Sequence, residues 1–201
     1  MVTAPSTDSD TENGERASTP AWLAPIARAI PAIVVGLVIT FTPDHSATMG
    51  LISLGVFGAV TAVVLVLTTL RLAASEPVRS LHRGLSVITA VVAAASFALV
   101  AGLEGNLLPF LLLTLGAYGV FAGAYEIVWG LRHRGVTPLA RDGITVGAGT
   151  IILALILVAV GDSVSAVGFF GAYAVIVGVY LIIAGFSAKW AATSAKEQPT
   201  P

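Results

Sequence analysis

The 201-residue chain contains no cysteine and very few charged residues. The lack of cysteine excludes disulfides, thiolate metal sites and cysteine nucleophiles. Charged residues make up only 10% of the chain, compared with about 25% in a typical soluble domain. Hydrophobic residues make up 56%, and the mean hydropathy is +0.93. Apolar runs of about 20 residues match the thickness of a bilayer's hydrocarbon core, so the composition predicts a polytopic membrane protein.

The apolar runs predict an all-α fold with six transmembrane helices. Their predicted ranges are 22–42, 49–70, 84–103, 108–131, 143–160 and 164–187. Because short turns force neighbouring helices to be antiparallel, we expect three helix hairpins, over 22–71, 83–132 and 141–188. We expect one transmembrane domain over 21–190, with polar tails over 1–20 and 191–201. The first tail is too polar to bury much surface and is predicted to be disordered.

Two of the predicted helices carry the same pattern. Gly116-Ala117-Tyr118 returns as Gly171-Ala172-Tyr173, and in each copy two further glycines follow at intervals of seven residues. Seven residues make almost two helical turns, so each set of glycines forms one stripe along its helix. A weaker version, with Gly55 in place of the first glycine, marks the second helix as a third copy. Three hairpins that enter and leave on one side would be parallel repeats.

The glycine stripes are predicted to pack against neighbouring helices, since small residues let backbones approach closely in a membrane. The alternative is that the glycines line a substrate path. The six stripe positions are Gly116, Gly123, Gly130, Gly171, Gly178 and Gly185.

The basic residues predict the orientation. All ten lysines and arginines fall on one side of the predicted membrane: Arg16, Arg28, Arg71, Arg79, Arg83, Arg132, Arg134, Arg141, Lys189 and Lys196. The turns on the other side carry only the acids Asp44, Glu104 and Asp162. Cytoplasmic loops are enriched in lysine and arginine, so both termini are predicted to lie in the cytoplasm.

Glu126 is the one acid well inside a predicted helix, and it stands at a position where the other copies have Leu65 and Leu181. Its helical phase places it near the glycine stripe, facing the bundle. An intramembrane carboxylate suggests a functional site, here for handling a proton or another cation. The structural alternative is a carboxylate that reaches the membrane interface or pairs with an arginine, for which Arg132 and Arg134 are nearby in sequence.

The repeated hairpins and the pattern Gly171-Ala172-Tyr173-x4-Gly178-x6-Gly185-Phe186 resemble the HdeD-like family of short-repeat bacterial membrane proteins. The resemblance covers residues from about 25 to 188. It implies a multi-pass protein of the bacterial inner membrane with a role in stress or acid resistance, and it supplies no catalytic or binding residues. The polar front tail and the eroded first hairpin depart from the family pattern.

The sequence thus leaves two functions open. The first is a non-enzymatic stress or acid-resistance protein that acts through the bilayer or a partner. The second is a small transporter or channel for protons or a small solute that uses Glu126. We expect no cofactor, no metal site and no nucleic acid; the expected partner is the lipid bilayer, and a homo-oligomer is left open. An enzyme or a cation site would require two of the acids Asp44, Glu104 and Asp162 to come within about 6 Å of one another.

Overall fold

A computed structural model describes residues 19–197 of the chain, in six α-helices. The helices are α1 (Leu23–Phe41), α2 (Ala47–Arg71), α3 (Val78–Gly102), α4 (Leu108–Arg132), α5 (Leu139–Val158) and α6 (Ser163–Glu197). All six are long and apolar enough to cross a membrane. This confirms the prediction of an all-α protein with six long apolar helices, which suggests a multi-pass membrane protein.

Two helices, α3 and α6, are at least five residues longer than the sequence predicted. Helix α3 begins at Val78 instead of residue 84, so half of the charged connector is helical. Helix α6 has 35 residues, about 52 Å at 1.5 Å per residue, and it includes most of the predicted polar tail over 191–201. The ammonium of Lys189 lies 5.0 Å from the centre of the Trp22 ring and ties this extension to the start of α1. The predicted tail over 1–20 lies, except for its last two residues, outside the described residues.

The two ends of the bundle differ in charge. We call one the acidic end; it holds the turns over 42–46, 103–107 and 159–162, with Asp44, Glu104 and Asp162. The opposite, basic end holds the connectors over 72–77 and 133–138. At the acidic end each turn supplies a side-chain oxygen to a backbone N–H at or near the start of the following helix. Asp44 accepts from Ser46 N at 2.8 Å, Asn106 from Leu108 N at 3.1 Å and Asp162 from Ser165 N at 2.8 Å.

The tightest helix pairs are α2 with α3, α4 with α5, and α6 with α1. Glycines set these close approaches. A Cβ at Gly123 of α4 would lie 2.7 Å from the Gly147 carbonyl oxygen of α5. Likewise, a Cβ at Gly171 of α6 would lie 2.7 Å from the Ile39 side chain of α1. Each tight pair joins helices from different predicted hairpins, so the hairpins are not confirmed as packing units.

Five of the six stripe glycines lie in such contacts, and Gly116 does not. A Cβ at Gly116 would meet nothing within 4 Å, although its repeat equivalent Gly171 packs against α1. The close approach at that level of α4 is made instead by Gly119, where a Cβ would lie 2.9 Å from the Thr150 carbonyl oxygen. The stripe on α4 therefore begins one helical turn later than its spacing predicted.

Helices α2, α4 and α6 bring equivalent positions into the buried centre. Leu54, Leu115 and Phe170 form one equivalent set, and all three are fully buried. Another set is Phe57, Tyr118 and Tyr173. The Phe57 ring lies 5.7 Å from the rings of Tyr118 and Phe170, centre to centre. The repeat therefore produces apolar layers across the bundle, stacked along its axis.

Candidate functional site

Glu126 breaks the apolar layering. It lies in the second half of α4, and its side chain is fully buried. The equivalent residues Leu65 in α2 and Leu181 in α6 are also buried, at 0% and 4% exposure. A carboxylate therefore occupies a position at which the other two copies hold leucine.

The partner of Glu126 is Arg28 of α1. Nη2 of Arg28 contacts Oε1 of Glu126 in a salt bridge, and the Arg28 side chain is 11% exposed. The sequence had pointed to Arg132 or Arg134 as the nearby arginines. Arg132 is about 240° around the helix from Glu126, and Arg134 follows the end of α4, so neither faces the carboxylate.

Arg28 also replaces an aliphatic residue of the other copies. A Cβ added at Gly123, the middle glycine of the α4 stripe, would lie 2.7 Å from the Gly147 carbonyl oxygen of α5. In the same way, a Cβ added at Gly178, the middle glycine of the α6 stripe, would lie 3.2 Å from the Ala29 carbonyl oxygen of α1. Gly147 and Ala29 are therefore equivalent, and so are the residues before them, Val146 and Arg28. Val146 is buried at 4% exposure.

The third copy gives the same result. The Thr150 carbonyl of α5 lies against Gly119 of α4, and the Thr89 carbonyl of α3 lies against the equivalent Gly58 of α2. Four residues earlier these helices carry Val146 and Leu85, and Leu85 is 1% exposed. Both members of the ion pair thus stand where the rest of the repeat is aliphatic.

The ion pair has little other polar support. Apart from the contact with Arg28, neither carboxylate oxygen of Glu126 has a hydrogen-bond partner among the described residues. The nearest polar side chains toward the acidic end are those of Tyr118 and Tyr173, which are adjacent to one another. The Tyr173 hydroxyl lies 2.7 Å from Thr150 Oγ1, so it is already engaged. Oε2 of Glu126 therefore has capacity for one more donor.

A small cavity of about 30 Å³ lies on the basic-end side of the ion pair. Its polar lining comes from Arg28, His82 and Asp142, and its volume suits one water molecule. His82 Nδ1 lies 3.0 Å from Thr68 Oγ1, and Asp142 accepts a hydrogen bond of 2.8 Å from the Tyr180 hydroxyl. Polar groups thus continue from the ion pair toward the basic end.

The acidic-end half of the bundle is closed by aliphatic and aromatic side chains. Large residues that are fully buried there include Ile39, Leu51, Leu54, Leu111, Leu115 and Phe170. Toward the acidic end the large buried side chains beyond Tyr118 and Tyr173 are thus apolar, whereas ionisable side chains continue from the ion pair toward the basic end.

Sequence reasoning missed three residues of this site. Arg28 was assigned to the basic side, although its position inside the first apolar run was a signal that it could be buried. His82 was assigned to a connector that adds positive charge, but it lies in α3 at 2% exposure. Asp142 was not considered, and its place in the first turn of α5 gave little warning.

Within the described residues, no three histidine, aspartate or glutamate side chains come together as metal ligands. No protein-family model, curated protein or solved structure matches the chain.

Proposed function

We propose that the chain is a non-enzymatic integral membrane protein of the stress or acid-resistance kind, resembling HdeD-like proteins, and that the Arg28–Glu126 ion pair is its functional site. One observation carries the proposal: both partners of the pair occupy positions that are aliphatic in the other two copies. The other two copies pack without such a pair, so the pair serves a purpose other than completing the fold.

Energetics support the same conclusion. Burying two charges in a bundle costs several kcal/mol of desolvation free energy per ion. The attraction between the charges offsets this cost only when the geometry is excellent and further hydrogen bonds are made. Here the further hydrogen bonds to Glu126 are missing among the described groups. Ionisable residues inside membrane segments are rare and mark functional sites by default.

Acid would act on this site directly. Protonation of Glu126 removes the negative charge and leaves the Arg28 guanidinium uncompensated in the bundle. Helix α1 packs mainly on α6, and the ion pair is its charged link to α4. Loss of that link would loosen α1 and give the protein an acid-dependent change of conformation.

The orientation, location and partners belong to the same proposal. The basic end faces the cytoplasm, because lysine and arginine favour that side. Both termini are then cytoplasmic, in a bacterial inner membrane. The partner is the lipid bilayer, and a homo-oligomer remains the alternative.

The repeat is proposed as three parallel copies that pack in a ring. Each copy contributes one inner helix, α2, α4 or α6, and the tight partner of each inner helix is α3, α5 or α1. The equivalent glycine contacts in these pairs support this arrangement.

The test is a deletion strain grown across pH and envelope stresses and complemented with the wild-type chain or with Glu126→Gln. We expect poor survival of the deletion strain at low pH and rescue by the wild-type chain only. A matched control is Glu104→Gln, which neutralises an exposed acid at the acidic end. Survival of the deletion strain at every low pH would refute the acid-resistance function.

The second candidate is a transporter or channel for protons or a small solute. The unpartnered oxygen of Glu126 and the small cavity that Arg28, His82 and Asp142 help to line favour it. Proteoliposome flux separates the two functions. The stress protein predicts no flux across a panel of solutes, whereas the transporter predicts a flux that Glu126→Gln abolishes and Glu104→Gln leaves intact.

A further inference from the structure

A groove of about 650 Å³ runs between α3 and α4 on the outer surface of the bundle. These helices belong to different tight pairs, and they pack less closely on one another than on their tight partners. The lining is almost entirely apolar, with small residues in the middle. It includes Val87, Val91, Ala95, Ala117, Phe121 and Val128.

The groove is somewhat longer than the hydrocarbon layer of one leaflet. Its α4 side extends from Leu113 to Val128, which is about 22 Å along a helix at 1.5 Å per residue. Half of a 30 Å hydrocarbon core is about 15 Å. An acyl chain of one leaflet therefore fits within the groove.

The basic end of the groove is closed by Tyr125. A Cβ on Gly84 would overlap the Tyr125 ring, so this glycine admits the ring against α3. The Tyr125 hydroxyl donates a 2.8 Å hydrogen bond to the Ser80 carbonyl. The ring is thus fixed by both helices, about one turn before Val128 at the basic end of the apolar lining.

Two arginines flank this closed end. Arg83 precedes the lining residue Val87 by four positions, and Arg132 follows the lining residue Val128 by four positions. Residues four apart share a helix face, so both arginines are on the groove side of their helices. Both are exposed, and neither forms a salt bridge within the described part of the chain.

We propose that this groove binds an anionic phospholipid, with one acyl chain between α3 and α4 and the phosphate held by Arg83 and Arg132. Basic pockets between transmembrane helices on the cytoplasmic side hold anionic head groups in this way. The positive charges select an anionic lipid over a zwitterionic one and over a second copy of the chain. The alanines in the groove leave room for a thin acyl chain.

The test is native mass spectrometry of the full chain in detergent, titrated with phosphatidylglycerol or with phosphatidylcholine of identical acyl chains. We expect the wild-type chain to prefer phosphatidylglycerol. The paired change Arg83→Gln and Arg132→Gln should reduce this preference about thirtyfold, since each arginine near a membrane surface contributes roughly a fivefold effect. The matched control, Arg71→Gln with Arg134→Gln, removes two exposed arginines elsewhere at the basic end and should retain the preference.

A second variant tests the acyl chain separately from the charge. Ala117→Phe fills the groove and should weaken binding of both lipids, whereas Ala94→Phe, at an exposed α3 alanine outside the lining, should not. Equal binding of the two lipids by the wild-type chain would overturn the proposal. So would an unchanged preference in the groove-arginine variant, or chain dimers that Ala117→Phe abolishes without affecting lipid binding.

Discussion

Replacing Arg28 and Glu126 together by leucine separates what the ion pair does for the fold from what it does for function. Leucine is the residue at the Glu126 position of both other copies, and it stands at the Arg28 position of one of them. The double variant thus restores the apolar pattern of the repeat.

The expected changes in unfolding free energy follow from the burial of the two side chains. Glu126 is fully buried and Arg28 is 11% exposed, so removing either alone leaves its partner as an uncompensated charge in the bundle. Such a change costs about 3–5 kcal/mol of unfolding free energy. If the two sites were independent, the double variant would lose about 6–10 kcal/mol. We expect instead a change near zero or a stabilisation of about 1–4 kcal/mol, as when buried ion pairs are replaced by packed hydrophobic residues.

The assay is equilibrium unfolding in mixed micelles of the wild-type chain, both single variants and the double variant. The pair Leu65→Ala and Leu181→Ala serves as a control, because these leucines are equivalent buried positions without a charge partner and their effects should add. Additive destabilisation of the leucine double variant would refute the reasoning that the fold does not need the pair.

Three other perturbations have defined outcomes. Gly123→Ala should destabilise the bundle by about 1–3 kcal/mol through overpacking, whereas Gly116→Ala, with open space at its Cβ, should be neutral or gain up to about 1 kcal/mol in thermal unfolding. Tyr173→Phe should cost about 0.6–2 kcal/mol in the same assay, because Thr150 loses its 2.7 Å partner. The hydrogen bond from the Ser165 backbone N–H lowers the pKa of Asp162 in the folded protein. The carboxylate therefore stabilises the fold above its unfolded pKa of about 3.9, and this stabilisation is lost as the pH falls through the lower folded pKa. The stability difference between wild type and Asp162→Ala should therefore be constant from about pH 8 to 5 and shrink below about pH 4; a difference that shrinks at neutral pH would contradict this assignment.

The six helices could be predicted from the sequence because long apolar runs have few alternatives to a helix in a membrane. The glycine spacing also indicated close approaches, and the contacts of Gly123 and Gly178 follow it. The exception at Gly116 depends on the position of α5 along α4, which spacing on one helix does not determine.

The partner of Glu126 was harder to predict. Sequence proximity favoured Arg132 and Arg134, but α1 packs against α6, and its Arg28 reaches Glu126 in the buried interior. Contacts between the first and last helices leave no local pattern in the sequence. A repeat also shows which positions are equivalent without showing which copies touch.

The sequence did contain a signal for the extension of α6, although hydropathy alone did not indicate it. Residues 188–196 include four alanines, the strongest helix-forming residue, so propensity favours a continued helix after the apolar run ends. The ring of Trp22 beneath Lys189 then holds the extension against α1.

The most direct test of the central claim is acid survival of the deletion strain that carries the leucine double variant at wild-type protein levels in the membrane. The account predicts a folded, abundant protein that fails to restore survival, while the wild-type chain restores it. Full rescue by the double variant would contradict the claim that the Arg28–Glu126 ion pair is the functional site.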